Sequence, residues 1–169
     1  MKKILLTAIF ALATLGIASA QKYFVVNSEK VFKSLQEYNT AMTQLDEIGK
    51  SYQAQVDDKY KSIEQLYNNY MAQRNSLSAT SRTSIEQQIL KKEEEAQKLQ
   101  HELLGEEGAL MKKRIDLIKP IQTKVFTAIE NYAKANGYDL VLDTATNASI
   151  LYFGSAIDHT EQIIALLKK

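Results

Sequence analysis

Two rhythms of apolar residues alternate along the chain: long stretches that step by three and four, and short continuous runs. From Tyr38 onward the apolar positions are Met42, Leu45, Tyr52, Val56, Tyr60, Ile63, Tyr67 and Tyr70, with Gly49 filling the place between Leu45 and Tyr52. This is a narrow seam on one helix face, as coiled coils have, and not the broad stripe of a globular helix. Small polar residues from Asn75 to Arg82 interrupt it. Thr83-Ser84-Ile85-Glu86 then has the spacing of a capping box, so the pattern predicts a turn between two antiparallel helices near Ala79. The return seam runs through Ile85, Ile89, Ala96, Leu99, Leu103, Leu110, Leu117, Ile121, Val125, Ala128 and Tyr132, and Asn136-Gly137 closes it as a left-handed cap.

The short runs predict strands at Lys22 to Asn27, Tyr138 to Leu142 and Ser149 to Phe153. Asn27-Ser28 reads as the N-cap of a short helix whose apolar side is Val31, Phe32 and Leu35. Asp158-His159-Thr160-Glu161 reads as a second capping box, opening a last helix with Ile163, Ile164 and Leu167 on its apolar side. The predicted class is therefore α+β, mostly α. A helical-hairpin arm over residues 36–120 stands on a discontinuous β-containing base, residues 21–35 and 121–169. Each arm helix of roughly 40 to 50 residues spans on the order of 60 Å or more.

That geometry has a consequence for assembly. A lone two-helix hairpin buries only a thin seam, and three strands of about five residues are too few for a stable sheet. The base is expected to assemble with copies of itself through Phe24, Val26, Val141, Ile150 and Tyr152. Near the turn, Leu66, Tyr67, Tyr70, Met71 and Leu77 offer more apolar surface than one seam uses, and either pack between the helices or face a bound protein.

Glycine costs a helix interior about 1 kcal/mol relative to alanine. With the turn near Ala79, Gly49 and Gly108 are expected to face each other, with Gly105 one turn away. They mark either a hinge in the arm, in which case alanine at all three should stiffen it, or a place of close helix packing. Pro120 is expected to kink the helix where arm meets base.

Composition adds location and exclusions. Met1-Lys2-Lys3, the apolar run from Ile4 to Ile17 and Ala18-Ser19-Ala20 form a secretory signal over residues 1–20, with cleavage expected between Ala20 and Gln21. The chain has no cysteine, so packing alone must stabilise it. Without Lys2 and Lys3, 19 basic residues oppose 20 acidic ones, a net charge near −1 that argues against nucleic acid as a partner. His101 and His159 are isolated and read as exposed helical residues. No spacing suggests a catalytic group, a metal site or a cofactor. Lys91-Lys92-Glu93-Glu94-Glu95 reads as a solvated helix face in which Lys91 can pair with Glu95. Asn147-Ala148-Ser149 matches a glycosylation sequon of the kind that arises by chance, and Asp143 reads as a strand-end or turn residue.

Three segments carry a resemblance: Tyr23-Phe24-Val25-Val26-Asn27-Ser28-Glu29-Lys30-Val31-Phe32, then Pro120-Ile121-Gln122-Thr123-Lys124-Val125-Phe126-Thr127-Ala128-Ile129, then Tyr132-Ala133-Lys134-Ala135-Asn136-Gly137-Tyr138-Asp139-Leu140-Val141-Leu142-Asp143. Flanking a long helical hairpin behind a signal peptide, they make the chain resemble the Skp/OmpH family of periplasmic chaperones. The resemblance implies a homotrimer whose short strands join in a small barrel, with three helical arms enclosing a cavity. That cavity is expected to hold unfolded outer-membrane β-barrel proteins in the periplasm without ATP. The near-neutral charge departs from the strongly basic family members, so no lipopolysaccharide site is carried over and peripheral lipid contact has little support. A structural envelope scaffold or adaptor is the main rival reading, and a lipid- or polysaccharide-binding protein a distant third.

Overall fold

Residues 21–168 are described by a computed structural model. The expected signal segment, residues 1–20, lies outside them. The order is β1 (Tyr23–Val26), α1 (Ser28–Lys33), α2 (Gln36–Gln73), a 3-10 turn (Arg74–Ser76), α3 (Ala79–Leu104), α4 (Ala109–Asn136), β2 (Leu140–Asp143), a second 3-10 turn (Ser155–Ile157) and α5 (Thr160–Leu167). The α+β, mostly helical class is as expected, with a long helix pair and a small strand pair.

In the base, β1 and β2 pair in parallel, Tyr23 opposite Leu140 through Val26 opposite Asp143. On its other side β1 is bridged at Val25 by Asp158, and the His159 N–H donates to the Val25 carbonyl at 3.0 Å. β1 is therefore central. It is buried along Phe24, Val25 and Val26, which explains its unbroken apolar run. Helices α1, α4 and α5, with Leu35 just ahead of α2, close over it through Val31, Ile121, Val125, Ala133, Ile163 and Ile164. The same core continues into the root of the arm at Ala41, Leu45 and Ile118.

The caps divide between those expected and those displaced. The Asn27 side chain accepts from the Lys30 N–H at 2.9 Å, and Gly137 ends α4 at φ 67°, as the sequence predicts. Neither capping box forms. Ser78 caps α3 by accepting from the Ser81 N–H, which places Thr83 inside the helix with its hydroxyl on the Ala79 carbonyl, and Glu86 is taken by the Tyr70 hydroxyl. At α5, Asp158 accepts from the Thr160 N–H while Glu161 turns away to Lys30 at 2.7 Å.

Two larger expectations change. The return arm is not one helix: α3 ends at Leu104 and α4 begins at Ala109, so Gly105 and Gly108 flank a break and do not occupy a helix interior. The seam hid this because Leu103 and Leu110 keep the heptad spacing across it. The run Ser149 to Phe153 is not a strand among the described residues and pairs with neither β1 nor β2. Pro120 lies inside α4, which runs on through it without a break. Pro120 and Asp116, the residue whose carbonyl loses its donor, are both exposed.

Candidate functional site

The base presents one covered and one open side. Phe24 is enclosed by Tyr132, Tyr138 and His159, with ring centroids at 5.5, 4.9 and 4.9 Å, the imidazole stacked on the phenyl ring. The Tyr132 hydroxyl and His159 Nδ1 are 2.9 Å apart, and burial pushes the Tyr132 hydroxyl above its ordinary pKa, with Tyr138 adding to it. His159 is thus a half-buried member of an aromatic cluster, not the exposed helical residue expected. Position gave no signal for this: the residue precedes α5 and is drawn in by its backbone bond to β1. His101 is exposed near the end of α3.

Asp143 ends β2 and does more than a turn residue. Its carboxylate accepts from the Ser28 hydroxyl (2.6 Å), the Ser28 N–H (3.1 Å), the Ala145 N–H (3.0 Å) and the Thr146 hydroxyl (2.9 Å). Burial alone would raise its pKa. The bonds from Ser28, Ala145 and Thr146 outweigh that and hold it below the ordinary value. The carboxylate also sits at the N-terminus of α1, tying the two parts of the base together across 115 residues of sequence.

Of the residues expected to join copies of the chain, Phe24 and Val26 are buried in the chain's own core, because β1 is central. Val141 packs against that core and Ile150 is half-buried. Tyr152 is 88% exposed and its neighbour Leu151 94%. Tyr23 and Leu140, paired across the strands, are about half exposed, and the outer edge of β2 has no strand partner among the described residues. The exposed large apolar residues of the strand pair and of the segment after it are therefore Tyr23, Leu140, Leu151 and Tyr152.

In the arm the seam is narrower than the sequence suggests. Val56, Ile63 and Tyr70 are buried at seven-residue spacing, whereas Met42, Tyr60 and Tyr67 are exposed. The turn-proximal set separates accordingly. Tyr70 joins Ile63, Ile89 and Ala96 in a small cluster, with Leu66, Leu77 and Ile85 packed against it. The bond to Glu86, then burial and the Glu86 charge, push the Tyr70 hydroxyl above its ordinary pKa against a smaller opposing pull from Arg74. Tyr67 and Met71 alone of the five point outward, each about half exposed.

At the break between α3 and α4, Met42, Leu45, Leu104, Leu110 and Met111 line an open depression of about 510 Å³, with Asp46, Glu106 and Arg114 at its rim. Gly49 faces Leu110 here, 3.7 Å from its Cδ2, and does not face Gly108. Ion pairs are mostly exposed i,i+4 contacts, such as Lys50 with Asp46 and Lys134 with Glu130. Lys91 and Glu95 do not pair, and Lys124 with Glu37 (2.9 Å) links α4 to the start of α2. Among the described residues no group of three His, Cys, Asp or Glu could hold a metal ion, and no helix is long and apolar enough to cross a membrane.

Comparison with known proteins matches this architecture. The profile of the family described as Outer membrane protein (OmpH-like) matches residues 22–167. The chain is 26% identical over 171 residues to Chaperone protein Skp of Yersinia enterocolitica, covering 99% of this chain and 100% of the relative. A crystal structure of an OmpH-like protein from Caulobacter crescentus superposes with a TM-score of 0.69 at 13% identity, covering 88% of this chain and 85% of that one, and so shares the fold. From the aromatic base to the tip of the arm, the chain belongs to the OmpH-like (Skp/OmpH) family.

Proposed function

We propose that this chain is an ATP-independent periplasmic holdase chaperone that keeps unfolded outer-membrane β-barrel proteins from aggregating between the arms of a homotrimer. Family membership across residues 22–167 carries the reading. The fold is consistent with it. A 38-residue α2, about 57 Å long at about 1.5 Å per residue, stands on a base that leaves Leu140, Leu151 and Tyr152 exposed. An exposed patch of that kind marks a protein contact, and an unpaired strand edge is a template for pairing with another chain. The break at Gly105–Gly108 would let each arm bend and the enclosed space change volume.

The test uses the secreted chain without its signal segment. Two unrelated outer-membrane β-barrels are diluted from urea, with no nucleotide present, and light scattering is followed at increasing chaperone. Holding both soluble near one trimer per client, with a trimer mass by light scattering, is the expected result. Protection of neither client, with binding to a single folded partner, would assign the chain to the scaffold class instead.

A further inference from the structure

The arm break combines three kinds of unsatisfied surface in one place. The first is apolar: Met42 and Met111 are 41% and 38% exposed over a depression that also takes in Leu104 and Leu110. The second is a set of donors. α4 starts at Gly108 without a side-chain cap, and among the described residues nothing accepts from the N–H groups of Ala109, Leu110 or Met111. The third is a set of acceptors, because α3 ends in extended backbone at Gly105 and the carbonyls of Glu102, Leu103 and Leu104 receive no donor among the described residues. Every helix end has such groups. Here one helix's end and the next one's start border the same apolar hollow.

We propose that this hollow is a preformed socket for one large apolar side chain of an extended, unfolded polypeptide, whose flanking peptide groups bond to the free N–H and C=O groups around it. The proposal rests on the holdase reading and gives its clients a point of attachment at the arm break, distinct from the tip. Chemistry selects the occupant. A helix of a second copy has satisfied its own backbone groups and would leave these unpaired, and a lipid chain has none to offer. An unfolded segment brings free donors, free acceptors and a large side chain together along its whole length. Methionine suits the walls because its flexible thioether repacks around side chains of different shape. A rim of both signs, Asp46 and Glu106 with Arg114, leaves the socket without a strong charge preference.

The experiment uses the oligomeric protein and a denatured eight-stranded outer-membrane β-barrel as probe. A photo-reactive benzoylphenylalanine at Met111 is compared with one at exposed Lys61 on the outside of the seam, and Met42→Asn with Met111→Asn is titrated against the probe. The expected result is a cross-link from position 111 to the probe, none from 61, and binding weaker by on the order of five- to tenfold in the double variant at unchanged oligomer mass. Since both methionines are partly exposed, the variant should fold, and the cross-link stands independently of it. A cross-link from position 111 to another copy of the chain, or equal binding by the variant with no cross-link at 111, would overturn the socket while leaving the holdase reading intact. Failure of the unmodified protein to hold the probe would overturn both.

Discussion

Four hydrogen bonds converge on the Asp143 carboxylate, and they make this residue the most sensitive polar joint of the base. Its folded pKa is depressed below the ordinary value of 3.8, so the stability it contributes is present above that value and is lost as pH falls through the lowered folded pKa. Asp143→Asn is expected to cost about 1–3 kcal/mol at neutral pH. It should also flatten the decline in stability below about pH 4, as urea titrations at a series of pH values would read. An unchanged acid profile would show that the carboxylate carries no such linkage. The glycines separate just as sharply. A Cβ at Gly49 meets only Leu110 at ordinary contact distance, so Gly49→Ala should stabilise the arm by about 1 kcal/mol. A Cβ at Gly105 would lie 2.5 Å from the His101 carbonyl oxygen, and one at Gly108 within 2.9 Å of the Gly105 backbone. Gly105→Ala and Gly108→Ala should therefore lower the thermal midpoint, the reverse of what their sequence positions suggest.

Elements were legible in the sequence in proportion to how locally they are determined. The seam at Val56, Ile63 and Tyr70, the Asn27 cap and the Gly137 cap depend on near neighbours and could be read from spacing. The break at residues 105–108 could not, because Leu103 and Leu110 preserve the heptad across it and only the backbone shows the interruption. The strand expected at Ser149 to Phe153 fails for a related reason: strand character needs an edge to pair with, and composition does not supply one. The tip illustrates the limit for site residues. Tyr67 and Tyr70 carry the same side chain three residues apart, and one faces solvent while the other is sealed against Ile89 and Ala96. Tyr70→Ser should thus lower the arm's thermal midpoint and speed amide exchange in α3, whereas Tyr67→Ser with Met71→Ser should leave both unchanged and weaken client holding. Equal exchange in the two variants would remove the distinction.

At the level of the whole molecule, the residues that fold the base are distinct from those proposed to join it to other copies. Phe24→Ala is expected to cost about 3–5 kcal/mol and to unfold the base of each chain, since the ring is fully buried among Tyr132, Tyr138 and His159. Leu151→Asp with Tyr152→Asp removes nothing from that core. It should leave the circular dichroism unchanged and reduce the solution mass to that of a single chain, as light scattering at matched concentration would report. A persistent oligomer would place the contact elsewhere. The outward role expected of Phe24 and Val26 is denied them by the central position of β1, which buries both in the chain's own core.

The parallel pairing of β1 with β2 also orders events in time. Tyr23 finds Leu140 only after the intervening helices have been made, whereas the turn at residues 74–78 joins neighbours that meet early. A chain emerging from its N-terminus can zip up its arm while its first strand is still unmatched. The strand pair at the root of the arm is completed last, so the base cannot take its final form until nearly the whole chain is available.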